Sequence, residues 1–223
     1  MIDIADNIRQ MKRELPQSVT LVAVSKFHPV DSLMQAYGAG QRVFGESRAQ
    51  ELVQKAAAMP GDVQWHFIGH LQTNKVKAVV PIASLIHSID SEKLLLAVND
   101  EAAKLGKVVD VLLELHVARE ETKYGFDRQA LAQCAADGLF ERCRNVRVCG
   151  VMGMATNTDD EQEIRNEFRR IVDVFNSLKA GEMKGNQAFK EISMGMSDDY
   201  RIALDEGSTM VRVGSHIFGP RQY

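Results

Sequence analysis

The sequence predicts an α/β protein, a (β/α)8 or TIM barrel, and three observations predict it. Short, continuously apolar, β-branched runs alternate with helical patterns along the chain, as parallel strands covered on both faces do. There are eight such runs, the number that closes a barrel. The length, 223 residues, suits one large α/β domain with a full core. An open doubly wound sheet would need a glycine fingerprint after the first strand, and SKFHPV is not one. Four residues follow Gly219, so the whole chain, 1–223, is expected to be a single barrel domain with nothing after it.

The first segment places Ile4, Ile8, Met11 and Leu15 on one helical stripe, read as an extra helix packed on the barrel before its first strand. Strands are expected at 20–25 (TLVAVS), 42–45 (RVFG), 65–69 (WHFIG), 84–89 (SLIHSI), 108–115 (VVDVLLEL), 146–152 (VRVCGVM), 190–193 (KEIS) and 210–213 (MVRV). Helices are expected between them at 30–38, 47–58, 73–80, 91–105, 127–137, 159–179 and 198–206. The segment 180–188, AGEMKGNQA, reads as a mobile surface loop.

Charged residues make up 26% and hydrophobic residues 45%, and the net charge is −3. That balance argues against nucleic acid or anionic lipid as a partner, so any anion site must be local. The N-terminus resembles no signal peptide, and no apolar stretch is long enough to span a bilayer. Cys134, Cys143 and Cys149 form no CxxC pair. They suit a reducing cytoplasm and read as packing residues, with no metal expected.

Chemistry in a barrel sits at the carboxyl ends of the strands. Lys26 ends the run Leu21-Val22-Ala23-Val24-Ser25-Lys26 at such a position, and Pro29 marks where the chain turns away. An ordinary strand-end lysine reaching water is the plain alternative. A desolvated lysine loses its proton more easily, and a neutral amine condenses with aldehydes. A phosphate is often held by the loops after strands seven and eight. Ser193 and the Gly214-Ser215 pair fall there, with a helix expected to begin near 215. Ser197 and Asp198 read instead as a cap for the next helix. Arg212, between Val211 and Val213, should point into the barrel mouth, toward a carboxylate, a phosphate or a ring nitrogen. An aldehyde trap, a phosphate cradle and an arginine suit one ligand, pyridoxal 5′-phosphate (PLP).

The strings AVSK at 23–26, FGES at 44–47, WHFIGHLQTNK at 65–75, KYGF at 123–126, SMGMSDD at 193–199 and GSTMVRVGSHIFGPR at 207–221 resemble the pyridoxal phosphate homeostasis proteins across nearly the whole chain. That family is similar to the barrel domain of alanine racemase, a fold-type III PLP-binding barrel, but lacks the racemase's second, β-rich domain. The resemblance implies that Lys26 forms an imine with PLP, that Ser193, Gly214 and Ser215 contact the phosphate, and that Arg212 faces the pyridine nitrogen. It also places His70, Gln72, Asn74 and Lys75 near the cofactor mouth. Ser47 stands where most relatives have Asn near the ring, which implies a shortened or water-mediated contact. Tyr124 stands where a small residue is usual and would narrow or cover the mouth.

The resemblance implies a cofactor-holding role in intracellular PLP homeostasis, without classical catalysis, with PLP-dependent apoenzymes as recipients and the protein a monomer. An amino-acid racemase is the competing reading. It needs a second base opposite Lys26, for which Tyr124, Tyr200 and Tyr223 are the candidates. A lysine-imine aldolase acting on a sugar phosphate is a third.

Overall fold

A computed structural model of the chain describes residues 2–119 and 124–220. Eight parallel strands close a barrel in chain order: β1 (Thr20–Val24), β2 (Val43–Glu46), β3 (Gln64–Phe67), β4 (Leu85–Ile89), β5 (Val109–Leu115), β6 (Val146–Gly153), β7 (Glu191–Met196) and β8 (Met210–Val213). Closure is made where β1 pairs with β8, with Ala23 opposite Val213. Alternation along each strand sorts the side chains. Leu21, Phe44, Trp65, Ile86, Val111, Val151 and Val211 pack outward in the large core shared with the helices. A smaller cluster, Leu85, Leu112, Cys149, Met152 and Met210, packs separately from it. Strand alternation turns Leu85, Leu112, Met152 and Met210 inward, and a register shift in β6 between Val148 and Gly150 brings Cys149 to the same side, as a fill for the barrel interior.

The helices are α1 (Ile4–Glu14), α2 (Val30–Gly38), α3 (Ala49–Ala58), α4 (Val76–Val79), α5 (Glu92–Lys104), α6 (Arg128–Ala136), α7 (Leu139–Arg142), α8 (Glu161–Ala180), α9 (Tyr200–Asp205) and α10 (Ser215–Phe218). The extra N-terminal helix is α1. Asp3 caps it by accepting the Asp6 N–H, and Ile4, Ile8 and Met11 are buried along its inner face. Ser91 and Asp160 cap α5 and α8 in the same way.

Three expectations need correction. Residues 73–80 form a 3-10 turn, Thr73–Lys75, that runs into α4 rather than one helix. The helix expected over 127–137 is followed by a second short one, α7, entered through Gly138 in a left-handed conformation. The segment after α8 is not a loose loop. It is a series of hydrogen-bonded turns, with Met183 buried and the Asn186 amide donating to Val148 O.

Candidate functional site

Lys26 lies in the turn after β1, closed by His28 N–H donating to Ser25 O at 3.1 Å. It is half-buried, and Phe27 beside it has φ 68°. That is the left-handed region, which costs a bulky residue about 1–3 kcal/mol and persists only where contacts enforce it. The neighbouring wall is the end of β8. A Cβ at Gly214 would lie 3.2 Å from Val24 O, so a side chain there would push these strand ends apart by a few tenths of an ångström, and the glycine lets them approach closely. The His28 ring stacks on Phe218 with centroids 5.0 Å apart. The lysine turn and the Gly214–Phe218 turn are therefore packed side by side. As expected, α10 begins at Ser215, whose opening amides have no partner within the helix.

The structure divides the two serines of SMGMSDD differently from the sequence expectation. Ser193 is fully buried, and its hydroxyl accepts from Arg212 Nη1 at 2.7 Å and pairs with His87 Nδ1 at 3.0 Å. It lies inside the barrel with both contacts satisfied by protein, not at the rim. Ser197 lies at the rim, and its Oγ accepts from Gly214 N–H at 3.3 Å. Nor does Ser197 or Asp198 cap α9. Asp199 is the N-cap residue, and its carboxylate accepts the Met196 N–H.

Arg212 is buried and points inward, as strand alternation requires. Nη1 also donates to Ser193 O at 2.8 Å, and Nη2 donates to Gly153 O at 3.0 Å. These bonds use three of the five guanidinium N–H groups among the described residues. Burial lowers its pKa to about 10, so it stays cationic at neutral pH. Below it, His87 Nε2 meets His66 Nδ1 at 2.9 Å. Burial lowers His66 to about 4 and His87 well below the ordinary range, so both rings are neutral. With one N–H on each neutral ring, Ser193, His87 and His66 form a continuous hydrogen-bonded chain beneath the guanidinium.

Ser47 and His70 share one cavity of about 250 Å³, which Gln72 and Lys75 also line. A Cβ at Gly69 would overlap the Ser47 carbonyl oxygen, so the loops after β2 and β3 meet backbone to backbone. Asn74 is exposed in the short turn beyond. His70 Nδ1 lies 3.0 Å from Asp90 Oδ2, and its ring stacks face to face on Tyr124 at 3.6 Å. Tyr124 thus lies over this side of the mouth, half exposed. Tyr200 faces away, donating to Glu14 Oε2 on α1 at 2.6 Å. Tyr223, with Lys123 and Arg221 of the quoted motifs, lies outside the described residues.

Two groups were missed in the sequence. Glu114, on β5, is buried with Oε2 lacking a hydrogen-bond partner among the described residues. Burial raises its pKa to about 7, the Asp90 charge adds to this, and Arg212 opposes it. The string LLEL reads as plain strand, and only an inward parity count would single this glutamate out. Lys55 and Glu51 on α3, with Glu46 on β2, form a buried ion-pair cluster beneath the lysine turn.

A sequence profile of the alanine racemase N-terminal domain matches residues 2–222. The pyridoxal phosphate homeostasis protein of Aquifex aeolicus is 38% identical over 207 residues, covering 91% of this chain and 87% of that protein. The one from Schizosaccharomyces pombe is 39% identical over 210 residues, covering 92% and 85%. The chain belongs to the pyridoxal phosphate homeostasis family. A solved structure of PipY from Synechococcus elongatus without PLP superposes with a TM-score of 0.91 at 34% identity, covering 97% of this chain and all of that one. PipY has also been solved with PLP bound, and that structure superposes with a TM-score of 0.88. In this chain the ends of β1, β7 and β8 meet through Ser197, which accepts the Gly214 N–H, and through the close approach of Gly214 to Val24 O.

Proposed function

We propose that this protein binds pyridoxal 5′-phosphate and serves intracellular PLP homeostasis as a holder of the cofactor. The observation that carries the reading is the packing of the Lys26 turn against the Gly214–Ser215 turn, with the Arg212 guanidinium buried on β8 and bonded to β6 and β7. The relatives named for this role, and the PLP-bound PipY structure, support it.

The residues fit the group. PLP supplies an aldehyde for an amine, a phosphate, and a basic ring nitrogen. Lys26 would meet the aldehyde. The Ser197 hydroxyl, the bare Gly214 backbone and the Ser215 hydroxyl and amide would hold the phosphate. We assign Ser197 here in place of Ser193, whose hydroxyl is already engaged by Arg212 and His87. Arg212 would donate one of its remaining N–H groups to the ring nitrogen. A guanidinium there opposes protonation of the ring and weakens it as an electron sink. Ser193 and His87 would act beneath it, fixing the guanidinium plane. Ser47 and His70 would border the ring from the β2 and β3 ends, with Tyr124 restricting entry. No metal is part of this reading. The same proposal holds the protein to be a cytoplasmic monomer that passes PLP to apoenzymes. Its three cysteines, free among the described residues, accord with a reducing compartment.

The visible spectrum of the purified protein, with and without added amino acids, tests this. A yellow protein whose band is lost in Lys26→Ala, and which does not turn over amino acids, is expected. A colourless protein that takes up no PLP would refute it.

A further inference from the structure

The turn that carries Lys26 is held by an ion pair on α3 that reaches across to the barrel wall through Glu46. Glu51 and Lys55 stand one helical turn apart and pair at 2.9 Å. Lys55 Nζ donates to Ser25 O at 2.8 Å, Glu46 Oε1 at 2.7 Å and Glu51 Oε2 at 2.9 Å, which uses all three ammonium donors. The same Glu51 oxygen accepts the Phe27 N–H at 2.8 Å. Ser25 Oγ donates to Glu46 Oε1 at 2.6 Å. The peptide groups on both sides of Lys26, the carbonyl of residue 25 and the amide of residue 27, are thus tied to one pair, Lys55 buried and Glu51 partly so. Phe27 sits in its left-handed conformation between these ties.

We propose that Glu51 and Lys55 are positioning residues for Lys26, fixing the direction in which its amine leaves the turn without themselves touching the ligand. This rests on the reading of Lys26 as the amine that captures the aldehyde. Lys55 is not a rival for that role. Its protons are all committed, and its ammonium is held against two carboxylates on the outer side of the strands.

Two ligands separate positioning from general stability: PLP, and its 4′-deoxy analogue, which keeps ring and phosphate but carries a methyl in place of the aldehyde. In Lys55→Met, checked by circular dichroism and assayed well below its unfolding temperature, PLP affinity and capture rate should fall about tenfold or more. Affinity for the 4′-deoxy analogue should hold. Glu51→Gln, which keeps an oxygen for the Phe27 amide, should lose less than Glu51→Ala, and the Glu51 pair carries the same comparison if Lys55→Met does not fold. Equal losses for both ligands, or no loss for either, would overturn the proposal. The Lys26→Ala protein distinguishes the two levels of failure. If it erases the advantage of PLP over the analogue and Lys55→Met keeps it, only the clamp falls. If Lys26→Ala leaves that advantage intact, the reading of Lys26 falls with it.

Discussion

Ser193 and Ser197 are four residues apart on one strand end, yet their chemistry differs completely. A register shift between Ser193 and Met196 separates a hydroxyl locked inside the barrel from one at the rim. The sequence shows two serines near the expected phosphate end but not where the strand stops, so it could not assign them. Ser197→Ala should weaken PLP by about 1–2 kcal/mol and leave unphosphorylated pyridoxal nearly unchanged in parallel titrations. Ser193→Ala strands a buried guanidinium N–H and a histidine nitrogen, and should instead cost about 1–3 kcal/mol of stability by denaturant unfolding. Glu114 gives a pH test. Its folded pKa of about 7 lies above the ordinary carboxylate value of 4.5. Its contribution is therefore fully present below about 4.5 and is lost as pH rises through about 7. Relative to Glu114→Gln, the parent protein should lose thermal stability between pH 5 and 8. A parallel pH dependence in the two proteins would contradict the burial argument.

At the scale of elements, the apolar periodicities predicted nearly every strand and helix to within a residue or two. Val30–Gly38 begins and ends where the pattern did. The misses have physical causes. Residues 73–80 carry helical residues, but the turn after β3 must tighten into 3-10 geometry before α4 can start. The polar segment after α8 looked loose because its anchors, Met183 and the Asn186 amide, are single residues rather than a periodic pattern. The stripe on α1 was legible because it is a simple 3.6-residue repeat. Ile8 is fully buried on it, so Ile8→Ala should cost about 2–5 kcal/mol in chemical denaturation. A loss below about 0.5 kcal/mol, the range of neutral surface changes, would show that α1 is not docked.

For the whole molecule, barrel closure could be read from the count and alternation of strands, because parallel strands covered on both faces leave few other solutions. The polar interior could not. His66, His87, Ser193 and Arg212 come from β3, β4, β7 and β8, and only closure brings them into one hydrogen-bonded chain. Lys26 was visible from its place at a strand end, whereas the α3 pair beneath it was not, since EXXXK reads as an ordinary surface helix pair. Binding at the mouth links β1, β7 and β8, so PLP at a hundred times its dissociation constant should add about 2.7 kcal/mol to global stability and raise the melting temperature by several degrees. The most direct test of the central claim is borohydride reduction of the PLP-loaded protein followed by peptide mapping. The account predicts a single stable pyridoxyl adduct on Lys26. An adduct on another lysine, with Lys26 unmodified, would contradict it.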